Sequence, residues 1–132
     1  MRSIDFLHLI LAADRSHNGV DRQELSMIVT VFRSRLMPGL KDEYIALVDR
    51  MQQIAMTIPG YISHKGFFAD DGERVTIVEF EHKEGQTAWR MHPEHLEAQK
   101  LGRVKYYEMY DIIVAEVDYH HHFERKKAPA EA

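Results

Sequence analysis

The order of strand and helix signals along this chain predicts an α+β domain of the ferredoxin-like type, β-α-β-β-α-β. A β-branched run, a long amphipathic helix and two strands around an Asp-Asp-Gly turn follow one another between residues 26 and 82. A second helical stretch and a last apolar run complete this order up to residue 119. An antiparallel sheet of four strands with both helices on one face satisfies this order.

Each of the first three elements has a pattern of its own and a clear end. Residues 27–36 are rich in β-branched and apolar side chains, which is typical of a strand, and the Pro38-Gly39 pair ends it. Residues 40–58 place their apolar side chains on one helical face, and Pro59-Gly60 ends this helix. Residues 61–69 then resume the strand pattern.

The second half of the domain begins with a hairpin. The Asp70-Asp71-Gly72 segment is a tight-turn signal, so residues 74–82 are predicted to return as a third strand. Residues 83–107 are predicted to be helical, with Pro93 marking a break or a new first turn. Residues 110–119 form the predicted fourth strand.

The chain divides into three regions around this domain. Residues 1–25 are predicted to be an extension with a short helix, because the apolar side chains between Ile4 and Leu11 fall on one helical face. Residues 26–119 are the folded domain. Residues 120–132 are predicted to be a flexible tail.

Composition excludes several classes of function. The net charge is -4 and the basic residues are not clustered, so nucleic acid is not an expected partner. The chain has no cysteine, which excludes disulfides and thiolate chemistry and fits a cytoplasmic location. The apolar run at residues 6–13 is too short to span a bilayer and lacks a basic flank, so we expect neither a membrane anchor nor a signal peptide.

Two of the predicted strands are apolar on both faces, which bears on assembly. Ile28 and Phe32 lie on one face of the first strand, while Val29 and Val31 lie on the other. Helices cover only one face of such a sheet, so the second face needs another cover. This predicts a homodimer with its two sheets face to face, unless the N-terminal helix covers that face.

The densest group of candidate functional side chains surrounds the single tryptophan. Trp89, His92 and His95 lie within two helical turns. Trp89 offers a flat apolar surface that would stack a planar ligand or fill the core. An imidazole can act as a base near neutral pH, but His92 also precedes Pro93 at a natural helix start, where it would serve as a cap.

Further candidates lie on the strands and at the end of the second helical stretch. His64 has apolar neighbours on its face of the second strand and is a candidate base or an ordinary sheet residue. Glu79 is a candidate buried carboxylate or the partner of a neighbouring arginine. Tyr107 could bind a phenolate oxygen or close a dimer interface. To hold a metal, His92 and His95 would need a third ligand. We expect no metal site.

These features resemble the antibiotic biosynthesis monooxygenase family of dimeric α/β-barrel proteins. The resemblance covers about residues 26–118 and is specific for the fold rather than for the reaction. The matching segments are Val29-Thr30-Val31-Phe32-Arg33, Pro38-Gly39, Pro59-Gly60, Val78-Glu79-Phe80, Ala88-Trp89-Arg90 and His92-Pro93-Glu94-His95.

The resemblance implies a ligand pocket between the sheet and the helices, near Trp89. It implies oxidation of small aromatic or polycyclic phenols by molecular oxygen, with no metal or other cofactor. The substrate would supply the electrons once it is deprotonated. His64 or His92 would then be the catalytic base, and the substrate-binding residues would be Trp89, Glu79, His95 and Tyr107.

Two departures from the family pattern keep other functions open. One cofactor-free branch has an asparagine four residues before the tryptophan, where this chain has Gly85. The haem-degrading branch has a histidine ligand about ten residues beyond it, where this chain has Gln99. The alternatives are therefore a binding protein for a small hydrophobic ligand and, with less support, haem binding or degradation.

Overall fold

The fold is given by a computed structural model that describes residues 26–126. The predicted N-terminal helix and the last six residues of the predicted tail lie outside the described residues. The elements are the strands β1 (Ile28–Leu36), β2 (Tyr61–Phe68), β3 (Arg74–Phe80) and β4 (Tyr107–Glu116), the helices α1 (Lys41–Met56), α2 (Lys83–Arg90) and α3 (Pro93–Leu101), and a π-helix (Gly102–Tyr106).

The four strands form one sheet in the order β2-β3-β1-β4, with every neighbouring pair antiparallel. This confirms the predicted ferredoxin-like arrangement. The sheet is open, with β2 and β4 at its edges, so one chain alone does not close a barrel. None of the helices in residues 26–126 is long and apolar enough to cross a membrane.

The core lies between the helices and one face of the sheet. Side chains of β3 alternate between buried and half-buried positions along the strand. The buried positions include Val78 and Phe80, which pack against Met51 of α1 and Trp89 of α2. Full burial of each such side chain stabilises the folded state by about 1.5–3 kcal/mol. The other face of β3, which carries Val75 and Ile77, points away from these helices.

The predicted hairpin is confirmed. The amide of Gly72 donates to the carbonyl oxygen of Ala69 (2.9 Å), and the amide of Ala69 donates to the carbonyl oxygen of Glu73 (2.7 Å). Gly72 has φ +93°, a conformation that glycine adopts without strain. The turn therefore fixes which residues of β2 and β3 face one another.

The second helical stretch is divided at Pro93, as predicted. Helix α2 ends at Arg90, and Pro93 is the first residue of α3. Proline suits this position because the missing amide hydrogen has no partner in the first turn of a helix. Beyond Leu101 the chain continues as a π-helix, a feature that the sequence pattern did not predict.

The predicted bounds of the fourth strand were wrong by three residues at each end. The strand begins at Tyr107, which pairs with Leu36, and ends at Glu116, which pairs with Ile28. Strand β4 therefore extends only as far as β1 offers a partner. The predicted start at residue 110 assumed an α-helix up to Tyr107, whereas the π-helix ends at Tyr106.

The π-helix brings Gly102 against the ring of Tyr107. A Cβ on Gly102 would overlap that ring, with 2.8 Å to Cδ2 and 3.3 Å to Cζ. Gly102 itself has ordinary helical angles, φ -59° and ψ -46°, so its backbone does not require glycine. The glycine is needed for space, because the Tyr107 ring is packed between other aromatic rings.

Replacing Gly102 tests this packing, since the sign of the effect should depend on Tyr107. We expect Gly102→Ala to lower the free energy of unfolding by about 1–3 kcal/mol in the wild-type background, through overpacking. In a Tyr107→Ala background the same change should raise it by up to about 1 kcal/mol, because alanine is the better helix former. Urea unfolding of the four proteins measures both values, and equal effects in the two backgrounds would contradict this account.

Candidate functional site

A cavity of about 180 Å³ lies between the sheet and the helices. Its inner walls come from the core face of β1 and β3 and from α1, α2 and α3, and Tyr107 and other residues of β4 close one side. Most of the lining is apolar or aromatic. The exposed lining residues, which include Arg90, Arg103, Tyr110 and Ile112, mark its mouth.

Trp89 forms one wall of the cavity and is held there by a buried hydrogen bond. Its indole nitrogen donates to the carbonyl oxygen of Met51 (3.1 Å). The indole contacts Phe80 on the core side, with 6.0 Å between ring centroids. Because the only N–H group is already used, Trp89 offers a ligand its ring and no hydrogen-bond donor.

Two histidines contact the same indole. The His95 ring lies 4.3 Å from the Trp89 ring and the His64 ring lies 5.8 Å from it, between centroids. Both histidines line the cavity. Burial lowers the pKa of His64 and lowers the pKa of His95 to about 4, because the charged imidazolium loses hydration. Both rings are therefore neutral near pH 7.

The hydrogen bonds of Gln99 hold the His95 ring against α2. The Gln99 amide nitrogen lies 3.0 Å from the carbonyl oxygen of Arg90, which can only accept, so this amide end must be the NH₂ group. The same nitrogen lies 2.7 Å from Nδ1 of His95. The Arg90 carbonyl oxygen also raises the pKa of His95 through a hydrogen bond, which opposes the larger effect of burial, so Gln99 and Arg90 together position the His95 ring.

A pair of tyrosine hydroxyls lies at the other end of the cavity. The hydroxyl oxygens of Tyr44 and Tyr107 are 2.8 Å apart, and both residues line the cavity. Burial raises the pKa of both phenols, so both stay protonated at neutral pH. One hydroxyl hydrogen is used within the pair, and the Ser34 side chain also lies within hydrogen-bond reach of the Tyr44 hydroxyl.

Two of the predicted site residues lie apart from this cavity. His92 precedes α3 as its N-cap, and its Nδ1 accepts the amide hydrogen of Glu94 (3.1 Å), which is the capping alternative. Glu79 lies on the sheet face that points away from the core helices, where it accepts a hydrogen bond from the Ser63 hydroxyl (2.7 Å). Neither lines the cavity, whereas His64, Trp89, His95 and Tyr107 all do.

Several polar cavity residues were not singled out from the sequence, among them Gln86, Tyr44 and Thr30. Gln86 is 4% exposed and lies one helical turn before Trp89, a spacing that could have indicated a shared face. Tyr44 lies on the apolar face of α1, where a tyrosine looks like an ordinary core residue. Thr30 is 6% exposed, and its hydroxyl oxygen has no hydrogen-bond partner in the structure.

The histidines do not converge with carboxylates on a metal position. In the part of the chain that the structure describes, no three His, Asp or Glu side chains lie close enough together to hold a metal ion. Glu79 lies on the other face of the sheet from His64, because His64 pairs with Val78 and Glu79 pairs with Ser63.

Sequence comparison identifies the chain's relatives. A family model for antibiotic biosynthesis monooxygenases matches residues 27–101, more than half of the chain. The protein YqjZ of Bacillus subtilis, itself uncharacterized, is 32% identical over 75 residues, which are 57% of this chain and 66% of that protein. The match thus spans slightly less than two thirds of YqjZ.

Solved structures share the fold at lower sequence identity. SnoaB, a cofactor-independent oxygenase from Streptomyces nogalater, superposes with a TM-score of 0.61 at 14% identity, over 72% of this chain and 96% of SnoaB. Rv0793 from Mycobacterium tuberculosis superposes with a TM-score of 0.63 at 20% identity, over 71% of this chain and 98% of Rv0793. At these identities the comparison shows a common fold.

The neutral state of His95 should make stability depend on pH. The unfolded chain takes up a proton at this side chain below its ordinary pKa of 6.5, whereas the folded protein does so only near pH 4. The contribution of neutral His95 to the free energy of unfolding is therefore complete above about pH 6.5, and it is lost as the pH falls from there toward about 4. By about pH 5 the loss is about 2 kcal/mol.

We expect His95→Gln to reduce this pH dependence, because glutamine does not titrate. Urea unfolding at about pH 7 and about pH 5 gives the difference in the free energy of unfolding between the two pH values for each protein. His122→Gln is the matched control, because His122 is exposed in the C-terminal segment and should leave the pH dependence unchanged. Equal loss of stability in wild type and His95→Gln would contradict the assignment of a buried, neutral His95.

Proposed function

Because the chain belongs to the antibiotic biosynthesis monooxygenase family, we propose that it oxidises a small electron-rich phenol with molecular oxygen and without a metal or organic cofactor. The observation that carries this proposal is the contact of His64 and His95 with Trp89 in a cavity of about 180 Å³. A flat apolar wall beside a proton acceptor and a hydrogen-bond donor suits a phenol that must lose its proton.

Each group has a distinct part in the proposed reaction. The substrate ring stacks on Trp89, and His64, which is neutral at physiological pH, accepts the phenolic proton. The hydroxyls of the Tyr44–Tyr107 pair hold the resulting oxyanion as hydrogen-bond donors. The anion supplies the electrons to oxygen. One oxygen atom bonds to a ring carbon, and the other leaves as water with two hydrogens from the substrate.

The cavity volume favours a small substrate over a polycyclic one. An apolar cavity of about 150 Å³ is known to accommodate benzene, and this cavity has about 180 Å³. Sites for drug-sized ligands have about 300–1,000 Å³. We therefore propose a substrate of one or two rings, since a larger ring system would extend beyond the enclosed volume toward the mouth.

A second candidate function is binding of a small aromatic ligand without chemistry. The lowered pKa values of His64 and His95 favour it, because a base with a low pKa removes a phenolic proton poorly. This candidate predicts saturable binding of small phenols with no consumption of oxygen.

We also propose that the chain acts as a homodimer through the sheet face away from the helices. Ile113 of β4 lies on this face beside Val31 of β1, and Val31 in turn lies beside Ile77 of β3. Ile113 is 53% exposed in the single chain, which leaves a large apolar side chain in water. A second copy of the sheet would cover this row, and two sheets packed face to face bury such rows in the same way.

Ile113→Glu should convert the proposed dimer to a monomer. A carboxylate at this position would be buried without a partner in the dimer and hydrated in the monomer. Sedimentation velocity of the full chain measures the state, with Glu108→Gln, an exposed change on the same strand, as the control. A wild-type protein that sediments as a monomer would overturn the dimer proposal and favour the N-terminal segment as the cover.

Oxygen uptake tests the proposed reaction. We expect the purified, chelator-treated protein to accelerate uptake with one- and two-ring dihydroxy aromatics above the spontaneous rate. His64→Gln should lower this rate by about 10²–10⁴-fold, the usual contribution of a general base. Trp89→Phe should weaken substrate binding, because it removes most of the stacking surface and the hydrogen bond to α1.

His122→Gln serves as the matched control, since His122 lies in the exposed C-terminal segment and should leave turnover unchanged. If His92→Asn abolished turnover and His64→Gln did not, the base would be misassigned. Saturable binding with no oxygen uptake for any compound would contradict the proposed oxygenase activity and support the second candidate, a binding protein.

A further inference from the structure

Arg74 is a buried cation without a carboxylate partner among residues 26–126. Arg74 is 6% exposed, and its Nε has no hydrogen-bond partner in the structure. Three other arginines, Arg33, Arg35 and Arg50, form ion pairs with carboxylates at the surface. A buried charge with no counter-charge is costly to the folded state, so its retention at this position calls for a reason.

The guanidinium of Arg74 lies among aromatic rings beside the cavity. Its central carbon is 5.1 Å from the ring centre of Phe68 and 5.9 Å from that of Tyr44. Gly66 on β2 makes room for it, because a Cβ at that position would overlap the guanidinium. Thr76, two residues further along β3, and Tyr44 both line the cavity.

The charge of Arg74 acts on the polar groups of the cavity. It lowers the pKa of Tyr44 and Tyr107, opposing the larger effect of burial, and it contributes to the lowered pKa of His64. The end of the cavity at the Tyr44–Tyr107 pair thus combines a nearby positive charge with two protonated tyrosine hydroxyls. A negatively charged oxygen is the ligand group that satisfies both.

We propose that the cavity binds aromatic oxyanions, phenolates or carboxylates, that the Tyr44–Tyr107 pair receives the anionic oxygen, and that Arg74, which packs against the Tyr44 ring without lining the cavity, supplies the counter-charge. This rests on the proposed function only in taking the cavity as the ligand site. It narrows the substrate class to molecules that are bound as anions. It also gives the phenolate of the proposed reaction a counter-charge, which neutral donors alone do not supply.

Two other arginines could attract an anion to the mouth of the cavity. Arg90 and Arg103 line it, but both are exposed, and water and salt screen an exposed charge. A buried guanidinium acts through less water and therefore discriminates more strongly between charged and neutral ligands. Arg74 and Arg103 therefore make separable predictions.

Fluorescence of Trp89, the single tryptophan, reports binding directly. We expect 4-nitrobenzoate to bind at least roughly tenfold more tightly than 4-nitrobenzamide, which has a similar shape and no charge. Arg74→Gln should abolish this preference while the amide still binds, and Arg74→Lys should retain part of it. Arg103→Gln should leave the preference within about twofold, as expected for an exposed charge.

4-Nitrophenol distinguishes the two sources of the oxyanion, because its anion is yellow and its neutral form is not. An increase in yellow colour on binding, lost in Arg74→Gln, supports a phenolate, and a preference for the benzoate alone supports a carboxylate. Should Arg74→Gln fail to fold, Gly66→Ala keeps the charge but displaces the guanidinium, and it should weaken the same preference.

Equal binding of benzoate and benzamide by the wild-type protein, with no yellow shift, would overturn the proposal. So would an unchanged preference in Arg74→Gln, or a preference lost in Arg103→Gln instead. These measurements involve no turnover. The anion preference can therefore fail while oxygen uptake is observed, and uptake can fail while the preference is observed.

Discussion

The hydrogen bond from the Trp89 indole to the Met51 carbonyl oxygen is the interaction on which the arrangement of the site depends. It joins α2 to the middle of α1 and fixes the indole as a wall between core and cavity. One side of the ring system packs on Phe80, and the histidines His64 and His95 contact it as well. Because one side chain supports the core and shapes the cavity, packing and ligand binding are coupled here.

The core face of the sheet is less apolar than a core requires. Thr30, Ser34 and Arg74 are each at most 6% exposed, and each has a polar atom without a hydrogen-bond partner in the structure. Each such atom costs about 1–3 kcal/mol of stability when it is buried unsatisfied. A chain of this size buries a modest core, so this cost is a substantial fraction of its stability. The concentration of these unpaired polar atoms beside one cavity is explained if a bound ligand forms hydrogen bonds with some of them.

Local patterns predicted the elements well, but they left the choice of sheet face open. Strand alternation places Glu79 on the face of Val75 and Ile77, and these apolar neighbours made it a candidate buried carboxylate. The helices instead cover the face of Thr76 and Val78, because that face combines with the apolar side of α1 around the cavity. Contacts over long sequence separation, such as Tyr44 with Tyr107, have no local signal, and neither does the room that Gly66 leaves for Arg74.

The glycine that departs from the family pattern has a packing reason in this chain. A Cβ on Gly85 would lie 2.9 Å from both the Phe80 ring and the carbonyl oxygen of Pro59, so an asparagine would not fit there without displacing the core. The next residue, Gln86, is 4% exposed and places a carboxamide at the cavity wall. The absence of the asparagine therefore does not leave the cavity without a carboxamide, because a one-residue shift along α2, with a side chain one methylene longer, supplies the same chemical group.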